Sequence, residues 1–554
     1  MTGIALATAI LTSLSALLWV PVAASIGPPP VPPFAPRQTL DTRYVAPKGR
    51  TISVKAGGNL QAAINTARPG DTVTLEEGAV FRGNFTLPAK KGSDWIVIRS
   101  AAGDDALPAP GTRITPAFAR SMPRLVTPNV VPVVQAAAGA RRYRLMGLEL
   151  TVAEGVSQLR EIVAFGGSQS TLADTPSDLV LDRCYVHGLP STHVFRGLLL
   201  NSAASAVIDS YISEIHVAGH DSQAVLGYNG PGPFRIVNNY LEAAGENIMF
   251  GGGDPHVGGL VPSDIEIRQN HLFKPLRWRR DAPDFGGIPW TIKNVLELKN
   301  AQRVVIEGNI LENVWPESQG GAAIVLTPRN SGTAPWSVVQ DVMIRNNVII
   351  NAVGAFGGQS VDTGHPTRPM RRIAVVNNLW LDTTQTFFTI ASPGTPIEDL
   401  LVDHNTAIPT RLFSYDVDAT KPPALVRFQF TNNLTGFGRY GVKFPRTEGE
   451  VSRWIQGGTI NHNAMVRLEG RRDQEAGTTG WPGGRRGSPY WVFDGAAAAG
   501  LNRDGSLMER SPLRGVGAAG TDIGVEFPSL LRALPRDRAQ LPFDARAASP
   551  RNDR

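Results

Sequence analysis

The sequence predicts an all-β fold, a parallel β-helix in which short strands coil into a solenoid, and two observations carry this prediction. First, a motif of one apolar residue, two variable residues and usually Asn recurs along the chain. Second, each copy follows a strand-like alternation, and another short apolar run separates it from the next copy. Two or three strands in a repeat of this length are typical of a β-helix, whose coils stack about 4.8 Å apart.

The composition agrees with one long solenoid. The 554-residue chain has 58 Gly and 43 Pro, is 18% charged, and is 42% hydrophobic, which argues against general disorder. A repeat domain needs no single large core, so the length fits one domain. The net charge of +6 permits an acidic polymer as ligand. The sequence has no zinc-finger or RNP signature, so we expect no nucleic-acid partner.

The N-terminus predicts an exported protein. Residues 1–25 resemble a signal peptide or anchor, with an apolar run at 4–20 that no Lys or Arg precedes. Residues 26–50 are a Pro-rich linker, expected to be extended. We therefore expect a secreted or cell-envelope protein with no stable membrane association after cleavage. The single cysteine, Cys184, excludes an intramolecular disulfide and is expected to be a buried apolar residue.

The repeat itself predicts an asparagine ladder. We call the Asn position of each copy its mark, and neighbouring marks are 27, 28, 31, 39, 38, 31, 27 and 28 residues apart. We expect the Asn side chains to stack at one corner, each bonding the next, in the left-handed backbone that such a corner requires. The marks are Asn239, Asn270, Asn309, Asn347, Asn378, Asn405 and Asn433, preceded by weaker copies with Cys184 and Tyr211 at this place.

The two ends of the repeat predict its boundaries. Residues 59–67 have a helical pattern that can cap the open end of a solenoid, and a Pro-Gly-Asp turn and a strand follow. This run resembles the first coil of the pectate-lyase-like right-handed parallel β-helix superfamily, and residues 511–524 look like its last coil. The resemblance implies a β-helix domain at 51–525. The repeat fades after Asn433, which predicts an irregular flap at 436–500 within this domain. Residues 526–554 are expected to be a disordered tail.

Coil length predicts where the functional site lies. The four middle coils, about residues 240–378, are longer than the others. Extra residues in a solenoid leave it as loops, which often wall the binding face. The sequence therefore predicts a groove along these coils.

The strand at residues 294–300 carries the strongest chemical pattern. Alternation turns Leu296 and Leu298 inward and Glu297 and Lys299 outward. One coil later, Arg329 is expected on the same outer face. A Lys and an Arg beside a carboxylate suit β-elimination from a uronate. In that reaction a cation neutralises the sugar carboxylate and a Lys of lowered pKa removes the α-proton.

This pair resembles the chondroitinase B and alginate lyase-type β-helix lyases. The resemblance implies Lys299 as the base, Arg329 as the acid and Glu297 as a calcium ligand. The chain departs from that family in having Asn300 where a Ser is usual and in a longer interval between Lys and Arg. Asp221 and Asp254 are further candidate calcium ligands that could converge on the groove with Glu297. No organic cofactor is expected.

Substrate-binding candidates lie in two loops. Arg277, Trp278, Arg279 and Arg280 form a basic loop in which Arg can bind a carboxylate and Trp can stack on a sugar. His256 follows a Gly-rich loop on the neighbouring coil.

Three functions stay open on these residues. The first is a carbohydrate-active enzyme that cleaves an acidic polysaccharide, most plausibly as a lyase. The second is a glycoside hydrolase on the same fold, using Asp and Glu, although no carboxylate pair stands out for it. The third is a non-catalytic surface or polysaccharide-binding protein.

Overall fold

In the computed structural model, the chain forms a parallel β-helix with three faces. The structure describes residues 28–382, 385–408, 413–437, 442–443, 451–467 and 490–535. Three long sheets, all parallel, run along the helix, and most coils add one strand to each. The predicted fold is confirmed by this topology.

Sheets A and B have fourteen strands each, and sheet C has twelve. Sheet A consists of Thr51–Val54, Thr72–Leu75, Ile96–Ser100, Arg141–Met146, Ser177–Asp182, Ala203–Ile208, Gly232–Val237, Ser263–Arg268, Ala301–Glu307, Val339–Arg345, Arg371–Val376, Ile397–Asp403, Leu425–Thr431 and Ile455–Asn461. Sheet B consists of Val80–Arg82, Arg124–Thr127, Glu149–Val152, Tyr185–His187, Tyr211–Ile215, Tyr240–Ala243, His271–Phe273, Ile310–Val314, Val348–Ala352, Leu379–Leu381, Thr406–Ile408, Leu434–Gly436, Asn463–Arg467 and Tyr490–Asp494. Sheet C consists of Phe85–Leu87, Val134–Ala136, Gln158–Phe165, His193–Leu200, Gln223–Gly227, Glu246–Phe250, Leu296–Leu298, Ala322–Leu326, Gly354–Gln359, Thr386–Ser392, Phe413–Ala419 and Val442–Lys443.

The core runs through the solenoid as one continuous cluster of inward side chains. Leu296 and Leu298 belong to it, as the alternation predicts, and they pair in register with Ile324 and Leu326 of the next coil. Cys184 is fully buried in the same cluster. Each coil therefore has an apolar inside and three outer faces that are free to carry polar groups.

The asparagine ladder lies at the corner between sheets A and B. Asn309 shows the pattern: its Oδ1 accepts hydrogen bonds from the backbone N–H and the Nδ2 of Asn270, at 2.9 and 3.0 Å. Its Nδ2 donates to the Ile267 carbonyl and to the Asn347 Oδ1, both at 2.9 Å. The ladder continues beyond the predicted marks to Asn463. Its side chains are buried and structural.

Two details of the predicted ladder are wrong. The weak copy before Asn239 contributes Ser210, not Tyr211, because the Ser210 Oγ accepts the Cys184 N–H while Tyr211 begins the next strand. The left-handed residue is the one before each ladder position, such as Gln269 with φ 56°. The turn is thus made one residue earlier, which leaves the Asn side chain free to point inward.

Three short α-helices flank the sheets. Helix α1, Leu60–Thr66, begins at the N-cap Asn59, whose side chain accepts the Ala62 N–H, and it caps the first coil as predicted. Helix α2 is Val451–Trp454 and helix α3 is Phe527–Ala533. None of the helices in the described ranges has the length and apolarity that crossing a membrane requires.

The C-terminal region differs from the prediction. Residues 511–524 form no coil and lie on the outer face of sheet B, where Leu513 and Ile523 pack against Leu434. Helix α3 follows and buries Leu530, so residues 526–535 are not a disordered tail. Residues 536–554 lie outside the described part. Within the predicted flap, residues 455–467 instead add two strands to the solenoid.

The N-terminal region also differs. Residues 28–50 have no regular secondary structure, as expected of an extended segment, but they lie against sheet A instead of linking two bodies. The predicted signal peptide or anchor, residues 1–25, lies outside the described residues.

Candidate functional site

Two walls of loops flank sheet C in the middle coils. Because the strands are parallel, loops that enter sheet C lie along one edge and loops that leave it lie along the other. The entering wall consists of residues 274–295 and 315–321, and the leaving wall consists of residues 251–262, 327–338 and 360–370. The long coils therefore place their extra residues on both sides of one sheet.

Each wall is held by hydrogen bonds between loops of different coils. In the leaving wall, Asp254 accepts the Ser331 N–H at 2.7 Å and bonds from the Thr333 N–H and Oγ1 at 2.8 and 2.6 Å. In the entering wall, Glu317 accepts the Ile292 N–H at 3.1 Å and an Arg280 guanidinium bond at 2.9 Å. The two walls border the outer face of sheet C, and we call the strip between them the groove and the outer face its floor.

The floor changes character along the solenoid. Toward the C-terminal coils it is built of small side chains that follow Asn294 and Glu297 in register, namely Ala322, Val325, Gly354, Gly357, Thr386 and Thr389. Toward the N-terminal coils, Leu199, Leu226 and Met249 form an apolar patch beside Tyr228. The three C-terminal coils that carry the small side chains span about 14 Å, which leaves room for an extended polymer.

A charged cluster lies where the two parts of the floor meet. We call Glu246, Lys293, Glu297 and Lys299 the central cluster. Glu297 occupies the same rung of sheet C as Met249 and Val325, so it points outward as predicted. The Lys293 and Lys299 side chains are 8% and 11% exposed, so both lysines keep a small contact with solvent.

Glu246 and Lys293 form a buried ion pair. The Lys293 Nζ lies 2.6 Å from Glu246 Oε1 and 2.7 Å from Asp221 Oδ2. Gln223 donates to the second Glu246 oxygen at 2.7 Å. Burial disfavours the Glu246 charge, but Lys293 and Lys299 outweigh it and lower the pKa of this carboxyl. Glu246 is therefore ionised at neutral pH.

Glu297 has the opposite protonation behaviour. Burial raises its pKa to about 7, and the negative charge of Glu246 adds to the rise against the opposing charge of Lys299. Asn294 Nδ2 donates to Glu297 Oε2 at 3.0 Å, and Lys299 Nζ lies 3.4 Å from the same oxygen. The central cluster thus holds the Glu246 carboxylate, the Glu297 carboxyl, which ionises near neutral pH, and two lysine side chains.

Gly251 allows the two coils of the cluster to come this close. Its φ is 95°, and a Cβ at this position would lie 2.6 Å from the Asn300 nitrogen and 2.8 Å from the Lys299 Cβ. Any other residue would push the Lys299 segment away from the preceding coil, and backbone strain would oppose it as well. The Gly-rich loop found in the sequence therefore positions Lys299.

Arg329 lies one coil beyond Lys299, as predicted. Its backbone N–H donates to the Lys299 carbonyl at 2.9 Å. Its side chain is half-exposed and its Nε lies 3.9 Å from Asp362 Oδ1, beyond hydrogen-bond distance. The guanidinium can therefore reach a ligand in the groove.

The three predicted calcium ligands do not come together. Asp254 holds the leaving wall, Asp221 pairs with Lys293, and Glu297 faces Lys299. Across the described ranges, no group of three or more His, Cys, Asp and Glu side chains could hold a metal ion. As they are placed, these residues do not fit a calcium site, and a calcium requirement stays a prediction.

The four residues of the basic loop do not together form the predicted sugar subsite. Trp278 is only 5% exposed and packs with Trp290 and Ile292, so it cannot act as a stacking plate. Each arginine in the loop has an acidic partner, and these pairs are Arg277 with Glu214, Arg279 with Asp281 and Arg280 with Glu317. The loop therefore builds the entering wall and covers part of sheet B.

His256 lies in the leaving wall. Its backbone N–H donates to Asn229 Oδ1 at 2.9 Å, and its Nδ1 lies 3.1 Å from the Ser168 carbonyl. The side chain is held by a coil on the N-terminal side of the central cluster. A role in substrate binding stays a prediction.

Sequence reasoning singled out neither Glu246 nor Lys293. A signal did exist, because Glu246 continues a row of polar residues at one register position, which runs through Glu161, Arg196 and Gln223. Aligning the coils by their apolar pairs would have shown this row. The contact between Glu246 and Lys293 could not be predicted in this way, because it depends on how the strands pair across a whole coil.

No protein-family model matches this sequence, and no curated protein matches it either. Among solved structures, the chain is similar to the alginate lyase from Paenibacillus sp. str. FPU-7, at 15% identity and a TM-score of 0.34, over 64% of this chain and 95% of that one. It is similar to a mannuronic acid specific polysaccharide family 6 lyase from human gut microbiota, at 12% identity and a TM-score of 0.43, over 81% and 92% of the two chains.

A third similar structure is the catalytic unit of a GH87 alpha-1,3-glucanase from Streptomyces thermodiastaticus strain HF3-3. The identity is 10% and the TM-score 0.40, over 83% of this chain and 70% of that one. At these identities and TM-scores the parallel β-helix is established by the sheet topology of the chain itself, and the likenesses carry no functional conclusion.

Proposed function

We propose that this protein is a carbohydrate-active enzyme that cleaves an acidic polysaccharide by β-elimination in the groove over sheet C. The observation that carries the proposal is the pairing of Lys299 with Glu297 at 3.4 Å, in a cluster that keeps Glu297 protonated up to about pH 7. A proton acceptor and a proton donor are thus adjacent at the groove floor. Arg329 adds a cation one coil away.

The roles follow from the charges. The Lys299 amine removes the proton on the carbon next to the uronate carboxylate, and that C–H electron pair forms the new C=C bond. The glycosidic C–O bond breaks, and the leaving oxygen takes the Glu297 proton. Lys299 then returns its proton to Glu297, so the pair is restored after each turnover.

Arg329 suits charge neutralisation better than proton donation. A guanidinium does not give up its proton in a protein, but it can bind a carboxylate through two parallel hydrogen bonds. We therefore assign Arg329 to the substrate carboxylate, whose charge grows as the proton leaves. The acid role expected for Arg329 from the sequence passes to Glu297 in this proposal.

A glycoside hydrolase is the second candidate, because the pKa values of Glu246 and Glu297 are pushed in opposite directions. Its geometry is unfavourable. Retaining hydrolases hold their two carboxyl groups about 5 Å apart and inverting ones about 6.5–9.5 Å apart. Glu246 is fully buried and pairs with Lys293 at 2.6 Å, so it is closed to a sugar or a water.

Incubation of the purified protein with alginate, pectate, chondroitin and dermatan, with and without calcium, tests the proposal. Elimination creates an unsaturated sugar, so ultraviolet absorbance rises with each bond cleaved. We expect at least one acidic polymer to give this signal. Release of reducing sugar without absorbance would establish the hydrolase instead, and silence in both assays across these polymers would oppose both.

The pH dependence of kcat/KM is expected to follow Glu297. Burial raises the pKa of this carboxyl to about 7, so Glu297 carries the proton that the leaving oxygen takes below this pH and loses it above. Activity should therefore fall as the pH rises through about 7.

Glu297→Gln separates this explanation from a simple effect of pH on the substrate. Glutamine cannot ionise, so the fall near pH 7 should disappear, and loss of the acid should lower the maximum about 100-fold. An unchanged pH profile in this variant would remove Glu297 from the mechanism.

A further inference from the structure

The Pro-rich segment, residues 28–44, crosses the strands of sheet A at its outer surface. Three backbone N–H groups of the segment, each three residues from the next, donate to Asp side chains of three different coils. The pairs are Val31 with Asp399 at 2.9 Å, Phe34 with Asp341 at 3.1 Å and Arg37 with Asp264 at 2.8 Å. The segment therefore runs from the C-terminal coils back toward the first.

The three acceptors belong to one row of sheet A. At this register position Asp and Arg alternate from coil to coil, and every residue has a left-handed backbone with φ between 51° and 59°. Each Asp also pairs with the Arg of the next coil at 2.5 to 2.6 Å. The Asp–Arg row consists of Asp264, Arg303, Asp341, Arg372, Asp399 and Arg427.

The spacing of the row matches a polyproline II helix. Asp occurs in every second coil, and two coils span about 9.6 Å at the usual strand spacing. Three residues of polyproline II rise about 9.3 Å. A chain in this conformation can thus present one N–H to each successive Asp without stretching.

The segment has the matching pattern in sequence and in burial. Prolines occupy most places between the donors, and proline fixes φ near the polyproline II value. Pro30, Pro33 and Pro36 are half-buried while their neighbours are exposed, so the same face contacts the sheet every three residues. The Arg372 guanidinium lies 4.9 Å from the centre of the Phe34 ring.

The contact continues toward the first coils. Leu40 packs on a small apolar patch of sheet A formed by Val180, Ala206 and Ile208. Both terminal nitrogens of Arg144 donate to the Thr42 carbonyl at 3.1 Å. The segment is therefore held along nearly its whole length.

We propose that the Asp–Arg row is a binding site for a chain in the polyproline II conformation. Its ligand is the segment of residues 28–44, which we call the strap. The strap places three residues along every two coils. The acceptors lie 227 to 368 residues away in sequence from their donors. The strap can therefore dock only after the coils have stacked, and it then fastens coils that are otherwise joined only to their neighbours.

Native-state proteolysis of the full chain tests the site. Trypsin cleaves after Arg37 only when the strap opens, so the cleavage rate follows the open population when closing is fast. Phe34→Pro keeps the required φ but removes the N–H that Asp341 accepts. We expect cleavage at Arg37 to become about tenfold faster, as loss of a hydrogen bond to a charged group implies.

Ala35→Pro is the matched control, since the Ala35 N–H has no acceptor within the described chain. It should change the rate less than about twofold, within the range of surface substitutions. Inserting one Ala between Ala35 and Pro36 moves Arg37 out of register and should act like Phe34→Pro. Circular dichroism at matched concentration checks that the sheets are intact in each variant.

Two results would overturn the proposal. One is equal cleavage rates for Phe34→Pro and Ala35→Pro with both folds intact. The other is cleavage of the natural chain at Arg37 as fast as that of a synthetic peptide of residues 28–44, which would mean that the strap is not bound.

Discussion

Lys299→Ala is expected to lower kcat/KM on the cleaved polysaccharide by about 1000-fold, the contribution of a general base. Lys299 is held 3.4 Å from Glu297, and Gly251 on the preceding coil admits it there. Alanine removes the amine and leaves the Glu297 proton without a partner to restore it. Initial rates of the ultraviolet signal, measured over a range of substrate concentrations, give the value.

Two further variants separate the base from its charge. Lys299→Arg keeps the positive charge but cannot accept the proton, so it should be as inactive as Lys299→Ala. Arg279→Ala removes an arginine whose partner, Asp281, is exposed, and it should retain full activity within about twofold. Retention of more than a tenth of the activity in Lys299→Ala would refute the assignment, whatever class of enzyme the protein is.

Asn309→Leu is expected to lower the free energy of unfolding by about 3–5 kcal/mol. The substitution removes the acceptor of the buried Asn270 N–H and of one Asn270 Nδ2 hydrogen, and it removes the side-chain donor to the Ile267 carbonyl. Each buried polar group left unsatisfied costs about 1–3 kcal/mol. Urea unfolding followed by circular dichroism measures the change, and activity should fall only in proportion to the folded fraction.

Asn65→Leu is the control for this prediction. Asn65 lies in α1 and is exposed, and within the described residues its side chain bonds only to Gln61, whose Nε2 donates to Asn65 Oδ1 at 2.9 Å. Surface substitutions of this kind change stability by about 0.5 kcal/mol or less. A loss below about 1 kcal/mol in Asn309→Leu would mean that the ladder does not hold the corner.

The sequence predicted the fold well because the information for it is local and repeated. Alternating apolar residues show which side chains face inward, and the recurring Asn shows where each coil turns. The errors occurred where local patterns have two interpretations. A Pro-rich run can be a free linker or a docked strap, and only the Asp–Arg row of distant coils distinguishes the two.

The candidate site was predictable in part for the same reason. Outward positions of Glu297 and Lys299 follow from the alternation around Leu296 and Leu298. The basic loop was misjudged because its run of charges does not reveal that Trp278 folds inward onto Trp290. Sequence periodicity decides the side of a strand, but it does not decide what covers that side.

By itself, the sequence determined the β-helix, its capping helix, the ladder and the long middle coils, since each depends on residues close together in the chain. Only the tertiary structure decided that Glu246 faces Lys293 and that Glu297 stays protonated to about pH 7. The physical reason is register. The chain makes a whole coil between Phe250 and Leu296, so no local pattern shows how the strands at its two ends pair. The stacking of the coils sets that pairing, and with it the burial and charge around each carboxyl.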